Sequence, residues 1–197
     1  MNPQRPCMRM LIGSALLACA LLAGCAGGAA QVELTSLKDP YFPEPMKVDF
    51  EGARYWRGPD NDVHIVARTD TPGRGDEAPV RQYLYVRTVW NPNPGRTTTD
   101  PTAINAVLRY VVATSSGAIE YRGNGFAYFA GKPLDTLEFS LESAAVELES
   151  TTGDTPEVIS PARLVARIKA PRDDNGAAAW LREMERLVDR NVETAAR

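Results

Sequence analysis

A chain of 197 residues with 22 basic and 25 acidic side chains carries a net charge of −3. That balance argues against a general nucleic-acid binder and against a polybasic membrane-binding face, both of which need a basic footprint. The length suits one hydrophobic core rather than two domains, and all three cysteines, Cys7, Cys19 and Cys25, fall within the first 25 residues, leaving the body of the chain no disulfide and no thiolate metal site.

The first element is apolar. Arg5 and Arg9 precede a run from Met10 to Ala23 that is interrupted only by Gly13, Ser14 and Cys19. The run has the length of a signal-peptide core and falls short of the roughly 20 residues that cross a bilayer. It closes on Leu22, Ala23, Gly24 and Cys25, a leucine, two small residues and a cysteine. Those four residues resemble the lipobox of bacterial lipoproteins. The resemblance covers the first 25 residues only. It implies removal of residues 1–24 as a signal peptide, a diacylglyceryl group on the Cys25 thiol, and often an acylated amine beside it. Two or three acyl chains hold durably where one does not. The implied place is the bacterial cell envelope, with the protein anchored to the lipid bilayer through Cys25. Ala26 is not the aspartate that retains such proteins at the inner membrane, so the resemblance points to the outer membrane, facing the periplasm, in an organism that has one. Losing Arg5 and Arg9 makes the remaining chain two units more negative. Residues 25–31 read as the lipidated cysteine and a short tether, and 32–197 as a single β-rich domain.

The body alternates mostly with a period of two, the signature of half-buried strands. Met46 to Trp56 is the first candidate strand, with Gly52 as a bulge or bend. A turn at Gly58-Pro59-Asp60-Asn61 leads into Val63–Arg68. After a polar loop at 71–79, Val80, Leu84, Val86 and Trp90 form a core face, and Arg81, Tyr83, Tyr85, Arg87 and Val89 form the other, expected to be exposed. A long loop at 91–101 precedes an alternating stretch from Ile104 to Val112. Ile119–Arg122 and Phe126–Ala130 flank Gly123-Asn124-Gly125, which reads as a hairpin turn. Leu137, Phe139 and Leu141 share one face, then the pattern slips to Ala144, Val146 and Leu148. Strands are preferred to a helix here, with a bulge near Glu142-Ser143 absorbing the slip. Ala162–Lys169 alternates again.

The last segment has helical period. Asn175 is the expected cap, the helix runs over about 176–190, and Trp180, Leu181, Met184, Leu187 and Val188 make one apolar stripe. The expected fold is mainly β: an antiparallel β-sandwich or half-open barrel with a C-terminal amphipathic α-helix packed on it.

Chemistry is sparse. His64 is the only histidine, and no nucleophile elbow accompanies it. Asp60-Asn61-Asp62 and Asp173-Asp174-Asn175 suit a turn and a cap better than calcium, which wants six to eight oxygens. Arg74-Gly75-Asp76 spells an adhesion tripeptide, a match short enough to arise by chance. No catalytic residue, metal or cofactor is singled out. The leading expectation is a non-enzymatic binding or structural module for another envelope component, protein or glycan. Its candidate surface is Tyr83, Tyr85 and Arg87 with Arg74 and Arg96 in the two loops, since loops on a rigid scaffold carry binding. One alternative is a carrier of an apolar ligand or lipid in an internal cavity. The other is an envelope hydrolase with two carboxylates within about 10 Å in a cleft.

Overall fold

Alternation along nine segments produces nine strands, and the one long stripe of helical period produces one helix. The computed structural model describes residues 29–38, 41, 45–73, 78–89, 104–130, 136–157 and 159–195. The elements are β1 (Ala30–Ser36), β2 (Pro45–Phe50), β3 (Gly52–Arg57), β4 (Val63–Thr71), β5 (Val80–Thr88), β6 (Ala106–Ala113), β7 (Gly117–Ala130), β8 (Thr136–Gly153), β9 (Ala162–Pro171) and α1 (Asp174–Ala195). All nine strands join one antiparallel sheet in the order β2-β1-β9-β8-β7-β6-β5-β4-β3. The two edge strands, β2 and β3, are consecutive in the chain and separated only by Glu51, so the sheet must curl until its edges converge. A single parallel bridge, Tyr55 with Arg172, links β3 to the end of β9. One bridge is not a ladder, and the sheet stays open. It is one curled sheet, not two stacked ones, with the helix packed against it as the stripe implied.

The curl creates two apolar layers. Inside it, Phe50, Tyr55, Ile65, Leu84, Tyr110 and Tyr121 belong to one continuous core. Each large side chain buried there contributes about 1.5–3 kcal/mol. Tyr110 and Tyr121 stack with centroids 5.9 Å apart, and the Tyr110 hydroxyl donates to Gln82 Oε1 at 2.5 Å. Buried Asn105 is fully engaged: its Oδ1 accepts from Ala127 N at 2.6 Å and its Nδ2 donates to Ala127 O at 2.9 Å. Outside the curl, Met184 and Val188 of α1 pack on Val66, Tyr83 and Val111, with Trp56, Tyr85, Trp180, Leu181 and Leu187 around them.

Polar groups fix how α1 sits. Asp173 caps it, Oδ1 accepting from Gly176 N at 2.9 Å. This corrects the expected cap at Asn175, and the helix runs longer than 176–190. Asp173 is the residue held in place, because its own N–H donates to Tyr55 O at 3.0 Å and its carboxylate takes Arg54 at 2.6 Å. The Arg54 guanidinium lies 4.3 Å from the Trp180 ring centroid. A Cβ on Gly52 would stand 2.7 Å from that ring, so Gly52 is a seat for Trp180 as well as the bend between β2 and β3. Further along, Arg68 and Arg81 each bridge Asp70 and Glu183 at 2.7–2.9 Å. That closed square ties α1 to β4 and β5.

Three further expectations change. The sheet begins before the expected domain start at residue 32: Ala30 and Gln31 lie in β1, and Ala29 O accepts from Lys169 N at 2.8 Å. Gly123-Asn124-Gly125 is not a hairpin, because β7 runs straight through it. Gly123 is there for close approach, since a Cβ would come 2.0 Å from Ala145 O of β8. The turn into β7 is at Thr114–Gly117, where Thr114 N donates to Gly117 O at 2.8 Å. Third, the 80–89 face is not open along its whole length: α1 covers Tyr83 and leaves Tyr85 half-buried, while Arg87 and Val89 stay exposed. The slip in β8 lies where the alternation placed it, with a register shift against β9 between Leu141 and Ala144. Trp90 and the 91–101 loop lie outside the described residues.

Candidate functional site

The densest polar constellation sits on the outer face of β3, β4 and β5, at the end where the 58–62 turn joins β3 to β4. Strand register places Trp56 beside His64 and His64 beside Arg87. The imidazole stacks on the Trp56 ring, centroids 4.3 Å apart and planes 12° from parallel. His64 Nε2 lies 3.0 Å from Asp62 Oδ2, and Nδ1 lies 2.8 Å from the Tyr85 hydroxyl. Arg87 Nε donates to the same Asp62 oxygen at 2.7 Å. Asp62 is only 6 % exposed.

These contacts match a neutral imidazole whose Nε2–H donates to Asp62 and whose Nδ1 accepts from Tyr85. Burial pushes the His64 pKa below its ordinary value and the Arg87 charge acts in the same sense, against the opposing carboxylate. Burial alone would raise the Asp62 pKa, but the Arg87 hydrogen bond and the His64 and Arg87 charges outweigh it and lower it. Burial raises the Tyr85 pKa. A phenol that holds its proton and a carboxylate already shared with Arg87 are suited to locking geometry. Chemically the line can pass a proton from Tyr85 to His64, but burial outweighs the Arg87 and Arg109 charges and keeps the phenolate costly. The second oxygen of Asp62 is buried without a hydrogen-bond partner. It abuts Gly58, where a Cβ would come 2.0 Å from it.

The residues expected to form one surface do not share a common environment. Tyr83 is fully buried under α1, which corrects its assignment to a binding face. Burial raises its pKa, and the Glu183 carboxylate beside it acts in the same sense. Tyr85 is half-buried and engaged with His64, and Arg87 is partly exposed and engaged with Asp62. Cys25, Arg74 and Arg96 lie outside the described residues. Asp62 and Trp56 were not singled out as site residues. Their signal was in the spacing: a hairpin closed at Gly58-Pro59-Asp60-Asn61 brings Trp56 opposite His64.

Elsewhere on the outer face the sheet carries open clefts. A cleft of about 370 Å³ over β1, β9, β8 and β7 is lined by Ala29, Gln31, Tyr128, Glu138, Arg167 and Lys169, among others. Beside it, a second of about 430 Å³ shares Gln31 and Arg167 and reaches Glu33, Lys47 and Asp49. Register pairs Gln31 with Asp49 and Glu33 with Lys47, so Glu33 and Asp49 are diagonal neighbours, about 7–8 Å apart. Among the described residues no three His, Cys, Asp or Glu side chains gather as a metal site, and no helix is long and apolar enough to cross a membrane.

No family model, curated protein or solved structure matches the chain.

Proposed function

We propose that the protein is a lipid-anchored module of the bacterial cell envelope, held to its bilayer through Cys25, which binds another envelope component without catalysing a reaction. The observation that carries this reading is the spacing between the lipobox-like Leu22-Ala23-Gly24-Cys25 and the fold. Ala29 is already bonded to β9 and packed on the core, so three residues separate the proposed acylation site from ordered sheet. The bulky interior residues Tyr55, Tyr110, Tyr121 and Phe50 occupy the space that a carrier of an apolar ligand would need.

Mass spectrometry of the N-terminal peptide tests the anchor. The expected species starts at Cys25 and carries the mass of a diacylglyceryl group. A peptide that spans Gly24 and Cys25 intact, or an unmodified Cys25, overturns it. Cys25→Ala is expected to abolish the lipid mass while the circular dichroism of the domain is unchanged.

A second reading draws on Glu33 and Asp49 in one cleft. Two carboxylates lining one cleft are the pair of groups that glycoside hydrolysis by acid–base chemistry calls for, which favours an envelope hydrolase acting on glycan. Release of reducing ends from envelope glycan by the purified protein, lost in both Glu33→Gln and Asp49→Asn, would establish it. No release by the wild-type protein would end it.

A further inference from the structure

The cleft beside Ala29 has a position that the rest of the surface lacks. Burial alternates along β9, β8 and β7, so Arg167, Lys169, Glu138, Ser140 and Tyr128 point outward while Ile168 and Phe139 are buried inward. Register sets Gln31, Arg167, Ser140 and Tyr128 in one row across four strands. Ala29, Lys169 and Glu138 stand one step nearer the sheet end, and the cleft lies between the two rows. Ala29, the first described residue, stands at the rim of this cleft. Four residue steps back to Cys25 span at most about 14 Å when extended.

We infer that this cleft is the face by which the domain rests on its own membrane, and that its ligand is the headgroup layer of a zwitterionic phospholipid bilayer. The inference rests on the Cys25 anchor. A tether this short does not let the domain turn its opposite side, under α1, toward the lipid without lifting the whole sheet away. The chemistry of the cleft fits a headgroup of both signs. Arg167 is exposed and has no ion-pair partner among the described residues, which leaves its guanidinium free for phosphate. Lys169 and Glu138, 3.4 Å apart and both more than half exposed, offer one charge to each end of a zwitterion. Tyr128, held edge-on against Phe126 with centroids 4.8 Å apart, is a residue type favoured where apolar and wet regions meet. The net negative charge of the chain disfavours anionic lipid as the main attraction.

The test uses the full chain, purified from membranes with its lipid and reconstituted into phosphatidylcholine vesicles that contain a nitroxide-headgroup lipid. A fluorophore is placed on Ser140→Cys in the cleft or on Arg186→Cys on the exposed side of α1. Acylation blocks the Cys25 thiol, so only the introduced cysteine reacts. The expected result is several-fold stronger quenching at position 140 than at 186, reduced by Arg167→Glu with no change in the unfolding temperature. Equal quenching, or stronger quenching at 186, with the lipid verified on Cys25, overturns the orientation and leaves the anchor standing. Absence of lipid on Cys25 overturns both.

Discussion

The outer surface of the curled sheet has two halves, and they are built on opposite rules. Over β3 to β6 the outward residues include Trp56, Val66, Tyr83 and Val111, and α1 lies on them. Over β8 and β9 the outward residues include Glu138, Glu142, Glu147, Arg163, Arg167 and Lys169, all exposed. Both halves share the same interior, so the inward alternation looks alike in each. What differs is whether the other face of each strand is apolar. A sheet that puts Val66, Tyr83 and Val111 outward on three adjacent strands needs a cover, and the apolar stripe of α1 supplies one.

The covered half should be the more sensitive to substitution. Met184→Ala removes the side chain at its centre and is expected to cost about 2–5 kcal/mol. For a domain of this size each kcal/mol lowers the unfolding temperature by about 2–4 °C. Calorimetry measures the loss, and a red-shifted tryptophan emission would report Trp56 and Trp180 coming into water. A drop no larger than that of a surface substitution would mean that the helix is not part of the cooperative fold. Gly52→Ala pushes a methyl against the Trp180 ring and should cost about 1–3 kcal/mol. Trp180→Leu should suppress much of that penalty, because the clash then has no partner; a double-mutant cycle reads the coupling directly. Additive costs would mean that the loss comes from the β2–β3 bend instead.

The same comparison explains what was legible beforehand. The inward faces of β4, β5, β6, β8 and β9 were readable because period-two alternation is local, and the slip at Glu142-Ser143 was readable for the same reason. The amphipathic stripe of α1 was readable because Trp180 to Val188 repeat at helical spacing. The burial of Tyr83 was not read, because it depends on a helix about a hundred residues away in the chain. Its signal was present in Val66 and Val111, which are outward and apolar where a solvated sheet would carry polar groups. The start of β1 is not legible locally, because Ala29 and Ala30 look like tether although small apolar residues also fit a tight interior. Gly123 reads locally as conformational freedom for a turn, whereas its role is to let β8 come close. At the candidate site, His64 and Tyr85 were visible as residues, but their hydrogen bond was not, because it joins adjacent strands at a diagonal that only the register defines.

Acid should act on the edge of the covered half. His64 has a folded pKa below its ordinary value of 6.5, so the unfolded chain takes up the proton first. Its contribution to stability is therefore complete above that value and is lost as pH falls through the lowered folded pKa. Asp62, lowered from 3.8, adds a second loss of the same sign at more acid pH. Urea midpoints should fall from about pH 8 to 5, and His64→Gln should flatten that part of the curve. A wild-type midpoint that rises with acidification would contradict the neutral, doubly bonded imidazole.

The smallest effects set one arginine against another. Arg81→Gln breaks two sides of the square that joins Asp70 and Glu183. Those side chains are about one-third exposed, so screening keeps the expected cost near 1 kcal/mol or less, and added salt should shrink it. Arg167→Gln removes the same charge from β9, where no ion-pair partner is at hand among the described residues, and should change stability by no more than about 0.5 kcal/mol at any salt. Urea unfolding of both variants at low and high ionic strength separates them. If Arg167→Gln proved as costly and as salt-sensitive as Arg81→Gln, the uncovered face would be contributing to the fold itself. If it is silent, that arginine is held in place by nothing in the folded domain, and its guanidinium is available to whatever the open cleft meets.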